Sequence, residues 1–194
     1  MSLRLSGGRR LHSPPGDTAR PTPSRVRLAV MNMLQAELAG ASWLDLCCGS
    51  GVMACEAIQR GADRVVAVDQ DRRMAATART NLQLVAASRR PEPSVRVVQQ
   101  EVVRWLRAGR AAADLLTTEA TATEGFDLIY ADPPYAAELY GPLMAAVAEG
   151  DWIKPSGTLV LECATARKPE LKPGWSLERE RHYGSTTLLM LSRG

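Results

Sequence analysis

The tetrapeptide Asp132-Pro133-Pro134-Tyr135 combines groups that could act on an amino nitrogen. Its two prolines restrict φ and hold the neighbouring carbonyl groups in place. The Asp132 carboxylate and the Pro133 carbonyl are hydrogen-bond acceptors, and the Tyr135 ring offers a face on which a base can stack. Two fixed acceptors can orient the hydrogens of an exocyclic amine and stabilise positive charge developing on its nitrogen. The alternative is a proline-rich loop in which Asp132 only caps the following helix.

A glycine-rich turn earlier in the chain predicts a nucleotide-binding loop. The apolar run 43–46 leads into Cys47-Cys48-Gly49-Ser50-Gly51, after which a helix is expected. Residues 49–54 match the Gly-x-Gly-x-x-Gly/Ala dinucleotide pattern, and Asp69 comes 20 residues after Gly49, where an acid binds ribose hydroxyls. The glycines alone leave open a nicotinamide dehydrogenase, a different nucleotide cofactor and a tight turn without ligand.

Asp45 favours one of these cofactors. An acid shortly before the turn would face a pyrophosphate unfavourably, whereas S-adenosylmethionine offers sulfonium and ammonium cations that suit a carboxylate. The sequence therefore predicts S-adenosylmethionine. The predicted cofactor-binding residues are Asp45, Cys47, Gly49, Gly51, Asp69, Gln70, Glu101 and Val102.

Two of these acids have an alternative role at helix N-termini. Asp69 could cap the helix that follows it, although Asp71 could supply that cap instead, which favours ribose binding by Asp69. Glu101 follows the third predicted strand, where an acid could accept from the adenine amine or simply stabilise the start of a helix.

The elements that must position these residues alternate between strands and helices, a pattern typical of a parallel sheet covered on both faces. Thr22-Pro23 is expected to begin a helix that closes at Gly40. Two closing strands around Gly184 predict an antiparallel hairpin at the sheet edge. Strands are predicted at 43–46, 64–68, 95–98, 126–131, 157–162, 176–182 and 186–191, and further helices at 52–60, 72–85, 102–113 and 137–148.

Composition limits the protein classes to which the chain can belong. With 194 residues, 45% hydrophobic and 23% charged, the chain fits one globular domain, predicted as 23–194 behind an N-terminal arm of residues 1–22. No apolar run approaches the roughly 20 residues of a membrane span, and no secretory signal is expected. The four cysteines form no Cys-x-x-Cys pair, which favours buried thiols in a reducing cytoplasm and argues against a metal site. Residues 115–125 are expected to be a surface insertion.

The N-terminal segment is strongly basic. Asp17 is its one acid up to residue 27, against six arginines. A basic arm suits a polyanionic partner, and the alternative is a solvated N-terminus without a partner. The six arginines are Arg4, Arg9, Arg10, Arg20, Arg25 and Arg27.

Taken together, these motifs resemble the bacterial 16S ribosomal RNA guanine-N2 methyltransferases over nearly the whole chain. The most specific part is Arg20-Pro21-Thr22 followed by Arg25-Val26-Arg27. The arm Gly8-Arg9-Arg10-Leu11, the loop 44–51, Asp69, the tetrapeptide and the closing strand 184–191 also fit.

The resemblance implies a Rossmann-like class I methyltransferase with a seven-stranded, mostly parallel sheet. It implies methyl transfer from S-adenosylmethionine to a guanine N2 of 16S ribosomal RNA, free or in the small subunit, without metal or membrane. Asp132, Pro133 and Pro134 would then serve catalysis, and the flipped base would stack on Tyr135. Arg9, Arg10, Arg20, Arg25 and Arg27 would lie on the RNA side.

The chain also departs from the family pattern. Leu28 stands where the family usually has glutamate, Cys47-Cys48 is unusual in the first loop, the arm is short, and the 115–125 insertion is extra. Two alternatives remain open. One is an amino-methyltransferase for DNA adenine N6 or protein glutamine, although those relatives more often carry asparagine at position 132. The other is a noncatalytic RNA-binding assembly factor.

Overall fold

The computed structural model describes residues 3–13, 22–112, 125–134 and 138–194. Arg20, Tyr135 and nearly all of the predicted 115–125 insertion lie outside these residues. The contacts between residues divide the chain into two compact units, Met1–Gln99 and Gln100–Gly194.

The described residues of the first unit form three parallel strands and three helices. The strands are β1 (Ser42–Leu46), β2 (Arg64–Asp69) and β3 (Ser94–Gln99), and the helices are α1 (Ser24–Met33), α2 (Val52–Gln59) and α3 (Arg72–Ala86). Strand β2 pairs with β1 on one side and with β3 on the other. Every residue of β1 is buried, as expected for a parallel strand covered on both faces.

Helix α1 is shorter than predicted at both ends. Pro23, with extended backbone, takes the N-cap position, and the predicted Thr22 cap does not form. The helix ends at Met33, after which i→i+3 bonds such as that from the Glu37 amide to the Leu34 carbonyl (2.9 Å) replace the α-helical ladder. The apolar periodicity nevertheless continues, because Leu34 and Leu38 are fully buried.

Residues 3–13 of the N-terminal arm form a short hairpin. Arg4 and Arg10 are bridged in antiparallel fashion, and the Leu11 amide donates to the Leu3 carbonyl at 2.9 Å. Leu3, Leu5 and Leu11 are buried. Three buried leucines therefore anchor this segment, while its other eight residues are exposed.

The described residues of the second unit form four strands and three α-helices. The strands are β4 (Phe126–Ala131), β5 (Ile153–Ala164), β6 (Trp175–Tyr183) and β7 (Thr186–Arg193), and the helices are α4 (Val102–Arg107), α5 (Gly109–Ala112) and α6 (Tyr140–Glu149). Strand β4 is parallel to β5, and β7 is antiparallel to both β5 and β6. The hairpin between β6 and β7 turns at Gly184, whose φ is +66°, as predicted.

Three elements of this unit differ clearly from the prediction, and one of them is α6, which begins at Tyr140 instead of residue 137. The expected helix 102–113 is interrupted, because Gly109 adopts φ +78° and such a left-handed glycine commonly ends a helix. Strand β5 begins four residues earlier than predicted, at Ile153, and its register with β4 shifts between Phe126 and Leu128.

The strand order is β3-β2-β1 in the first unit and β4-β5-β7-β6 in the second. This arrangement confirms the predicted α/β class and the antiparallel C-terminal hairpin. Within the described residues, no helix is both long and apolar enough to cross a membrane. The same residues contain no group of three or more His, Cys, Asp or Glu that could hold a metal ion.

Candidate functional site

The glycine turn, residues 47–51, connects β1 to α2 in the first unit. Cys47, Gly49 and Gly51 adopt positive φ values of 62°, 54° and 75°. A Cβ atom on Gly51 would lie 2.7 Å from Leu82 Cδ1, so this glycine allows the turn to pack closely against α3. A Cβ atom on Gly49 would meet nothing within 4 Å. Gly49 therefore leaves its backbone open to an approaching ligand, whereas Gly51 serves packing.

Asp45 lies on β1 beneath this turn and is 1% exposed. Its Oδ2 accepts a hydrogen bond of 2.9 Å from the amide of Ala54, in the first turn of α2. Because the N-cap residue Gly51 has no side chain, Asp45 supplies an acceptor that the helix start would otherwise lack. The choice of cofactor from the sequence assumed that this carboxylate faces a cation. The observed contact gives it a structural role, and direct contact with the cofactor stays a prediction.

Asp69 ends β2 and holds two loops together. Its Oδ2 accepts from the Gly49 amide at 2.8 Å, and its Oδ1 accepts from the Asp71 amide at 2.9 Å. Burial raises the pKa of this carboxyl, and the two amide hydrogen bonds partly oppose that rise. Each carboxylate oxygen retains a second lone pair, so Asp69 can still accept from a ribose hydroxyl.

The alternative role of Asp69 as a helix cap is wrong. Asp71 caps α3, because its carboxylate accepts from the amides of Arg73 (2.7 Å) and Met74 (2.9 Å). Asp69 is thereby left to hold the glycine turn, with Gln70 exposed beside it.

Glu101, in the second unit, has the capping role that the sequence offered as its alternative. Its two carboxylate oxygens accept from the amides of Val103 (2.9 Å) and Arg104 (2.7 Å) at the start of α4. Val102 is buried in the same turn. Contact of Glu101 or Val102 with an adenine therefore stays a prediction.

The described part of the tetrapeptide directly follows β4. Asp132 is half-buried, Pro133 is buried and Pro134 is exposed. The preceding residue, Ala131, pairs with Leu161 of β5. The tetrapeptide thus extends from a strand whose position is set by its neighbour.

Glu162 of β5 is a residue that the motif search missed. Its side chain is 1% exposed, and its carboxylate accepts a hydrogen bond from the Tyr130 hydroxyl. The Tyr140 hydroxyl donates to the Glu162 carbonyl at 3.0 Å. The signal in the sequence is an acid at the end of the predicted strand 157–162, directly after the apolar residues 159–161.

Cys163 follows Glu162 and is fully buried. Burial raises its thiol pKa to about 11, and the carboxylates of Glu180, Glu162 and Asp132 act in the same direction. The thiol is consequently protonated at neutral pH and is a poor nucleophile.

The predicted RNA-facing arginines lie in different environments. Arg9, Arg10 and Arg25 are exposed. Arg9 also donates from Nη1 to Ser88 Oγ at 2.8 Å, which ties the hairpin to the loop after α3.

The assignment of Arg27 to an RNA surface is wrong. Its side chain is buried, and its two terminal nitrogens donate to the carbonyls of Arg4 (2.7 Å) and Thr22 (3.0 Å). Its Nε lies 3.7 Å from Glu56 Oε1, which also accepts from the amide and hydroxyl of Ser6. Arg27 and Glu56 therefore attach the hairpin to the rest of the first unit.

Comparison with known proteins shows the family to which the sequence belongs. The family described as "Conserved hypothetical protein 95" matches residues 5–192. The chain is 28% identical to the ribosomal RNA small subunit methyltransferase D of Haemophilus influenzae, covering 91% of this chain and 84% of the relative. It is 25% identical to the protein of that name from Escherichia coli K12, covering 98% and 90%.

Solved structures agree with this assignment. The Escherichia coli protein yhhF superposes with a TM-score of 0.79 at 25% identity, covering 100% of this chain and 98% of that one. The rRNA methyltransferase aviRa of Streptomyces viridochromogenes has a TM-score of 0.69 at 18% identity, covering 94% and 88%, and shows the shared fold. The fold is that of Rossmann-like class I methyltransferases, for which S-adenosylmethionine is the methyl donor.

Proposed function

We propose that this chain, which belongs to the Conserved hypothetical protein 95 family together with ribosomal RNA small subunit methyltransferase D proteins, methylates the exocyclic N2 of a guanine in 16S ribosomal RNA. The observation that carries the proposal is Asp132-Pro133-Pro134 at the end of β4, in a chain matched by this family from residue 5 to residue 192. The substrate is small-subunit RNA, free or assembled, and a cytoplasmic location follows from it.

The residues around the glycine turn fit the cofactor. The open space beside Gly49 admits a ligand close to the backbone, and the Asp69 carboxylate retains acceptor capacity for ribose hydroxyls. Exposed Gln70 directly follows Asp69, and Cys47, which has a positive φ, lies two residues before Gly49. Asp45 acts from beneath by holding the start of α2. When bound, S-adenosylmethionine supplies an electrophilic methyl group.

Asp132 and the Pro133 carbonyl orient the target amine. The guanine amine is a weak nucleophile, because its lone pair is delocalised into the ring. Acceptors held at its two hydrogens direct the nitrogen and stabilise the positive charge that develops on it. Asp132 then accepts the proton that leaves as the new N–C bond forms. The flipped base stacks on the ring of Tyr135.

Exposed Arg9 and Arg10 of the N-terminal hairpin and exposed Arg25 at the start of α1 offer cationic contacts to the RNA phosphates, with Arg20 as a further candidate. Arg27 contributes indirectly by anchoring the hairpin. We expect Arg10→Ala to lower RNA affinity a few-fold at low salt and to make the salt dependence shallower. The matched control is Arg27→Lys, which tests the anchoring of the hairpin rather than contact with a phosphate. If Arg10→Ala leaves the salt dependence of RNA binding unchanged, Arg10 does not belong to the RNA surface.

The decisive experiment uses labelled S-adenosylmethionine with small ribosomal subunits, free 16S RNA and double-stranded DNA in parallel. Nucleoside analysis should find N2-methylguanosine in at least one RNA substrate and no methyladenine in the DNA. Label in DNA adenine or in protein glutamine would establish one of the other amino-methyltransferase functions. Binding to RNA without transfer to any substrate would favour the noncatalytic assembly factor.

A further inference from the structure

We infer that Glu162 is a positioning residue for methyl transfer, and this inference rests on the proposed function. With Tyr130 and Tyr140 it forms what we call the Glu162 cluster. The cluster holds the chain on both sides of the tetrapeptide, so that its acceptors keep a defined position.

The two tyrosines of the cluster lie on either side of the tetrapeptide in the sequence. Tyr130 lies in β4 two residues before Asp132, and its hydroxyl donates to the Glu162 carboxylate. Tyr140 is the first residue of α6, six residues after Pro134, and its hydroxyl donates to the Glu162 carbonyl at 3.0 Å. One residue of β5 thus restrains both the strand that leads into the tetrapeptide and the helix that follows it.

Glu162 is a buried acid in an apolar part of β5, which indicates a specific role for its carboxylate. Glu162 and Tyr130 are each 1% exposed, and Tyr140 is 8% exposed. The flanking β5 residues Leu159, Val160, Leu161 and Cys163 are all buried and apolar, so an apolar side chain would suit the strand at this position. A buried carboxylate is unfavourable unless it is hydrogen-bonded, and here it accepts from the tyrosine nearest Asp132.

The chemistry explains why such a restraint is needed. Proline rings fix φ within the tetrapeptide but leave the position of the whole segment relative to the sheet undetermined. A displacement of about 1 Å in a positioning group can lower a rate about 100-fold. Holding the segment at both ends reduces that displacement without contact between Glu162 and the substrate.

The test compares four single variants and one double variant. Glu162→Leu removes the acceptor, Glu162→Gln keeps an acceptor oxygen, and Tyr130→Phe removes the donor. Thr187→Val is the matched control, since it deletes a buried hydroxyl on neighbouring β7 that contacts Thr165 and His182 instead of the cluster. For each variant, kcat is normalised to the stoichiometry of S-adenosylmethionine binding, and the cofactor KM and melting temperature are measured.

We expect Glu162→Leu and Tyr130→Phe to lower normalised kcat about 10- to 100-fold with the cofactor KM changed less than about threefold. Glu162→Gln should recover kcat to within about threefold of the parent. Thr187→Val should lower the melting temperature as much as Tyr130→Phe does, without the loss of kcat. Adding Tyr130→Phe to Glu162→Leu should lower kcat no further.

The inference is overturned if Tyr130→Phe and Thr187→Val have the same normalised kcat, or if Glu162→Gln is as impaired as Glu162→Leu. If Glu162→Leu does not fold, Tyr130→Phe and Glu162→Gln decide by the same criteria. Failure of the proposed function is distinguished from this result, because the parent chain would then transfer no methyl group to any RNA.

Discussion

The glycine turn after β1 and the tetrapeptide after β4 are held in different ways. The glycine turn is fixed by backbone amides, since Asp69 accepts from Gly49 and Asp45 accepts from Ala54. The segment around the tetrapeptide is held through side-chain hydroxyls, which Tyr130 and Tyr140 donate to Glu162. The backbone of the glycine turn is therefore fixed directly, whereas the segment around the tetrapeptide is fixed through side chains on either side of it.

The largest expected effect is at the tetrapeptide. Asp132→Ala should lower methyl transfer about 1,000-fold, because it removes both an acceptor for the amine hydrogens and the proton acceptor. Binding of S-adenosylmethionine, measured by calorimetry, should stay within about threefold of the parent. Asp132→Asn keeps one acceptor oxygen and should retain more activity than Asp132→Ala. Equal loss of cofactor binding and transfer would assign Asp132 to the cofactor site or to folding instead.

A second prediction uses the Cys163 thiol to detect the carboxylates that act on it. The thiol titrates near 9.0 when unfolded, whereas burial and the neighbouring Glu180 and Glu162 raise its folded-state pKa to about 11. Between these values the folded chain keeps a proton that the unfolded chain loses, so stability should fall as pH rises from 9 to 11. The contribution is about 3 kcal/mol.

The measurement is urea unfolding of the parent and Cys163→Ala at pH 8, 9, 10 and 11. Other titrating groups are common to both chains, so the variant should lose less stability across the interval. Cys163→Ser serves as a control for volume. Parallel pH profiles in all three proteins would show that this thiol does not have the expected burial and carboxylate surroundings.

A smaller effect should separate the two glycines of the glycine turn. Gly51→Ala places a Cβ 2.7 Å from Leu82 Cδ1 at φ +75°, so we expect a loss of about 2–4 kcal/mol in the free energy of unfolding. Gly49→Ala meets no atom within 4 Å and should cost only the strain of φ +54°, about 1–2 kcal/mol.

The two glycine variants should rank in the opposite order for cofactor binding. A methyl group at Gly49 enters the open space beside the backbone, so it should weaken S-adenosylmethionine binding more per unit of stability lost than Gly51→Ala does. Equal losses in both measurements would mean that the two glycines serve the same purpose.

Local contacts explain which parts of the site could be predicted. The glycine turn, the Asp71 cap and the strand 126–131 all depend on residues close in sequence, and each agrees with the structure. The predicted extent of α1 and the predicted uninterrupted helix 102–113 were wrong. A hydrophobic period continues through turns and does not mark where a helix ends.

The tetrapeptide, the glycine turn and the α/β alternation were determined by the sequence alone, since φ restriction, turn formation and apolar periodicity are properties of neighbouring residues. The tertiary structure decided what Arg27, Asp45 and Glu162 do. Arg27 looked like an RNA contact until its guanidinium was found bound to the hairpin backbone and Glu56. Glu162 looked like any strand residue, because its tyrosine partners lie 32 and 22 positions away. Burial of a charge depends on chain segments brought together by folding, which no local pattern encodes.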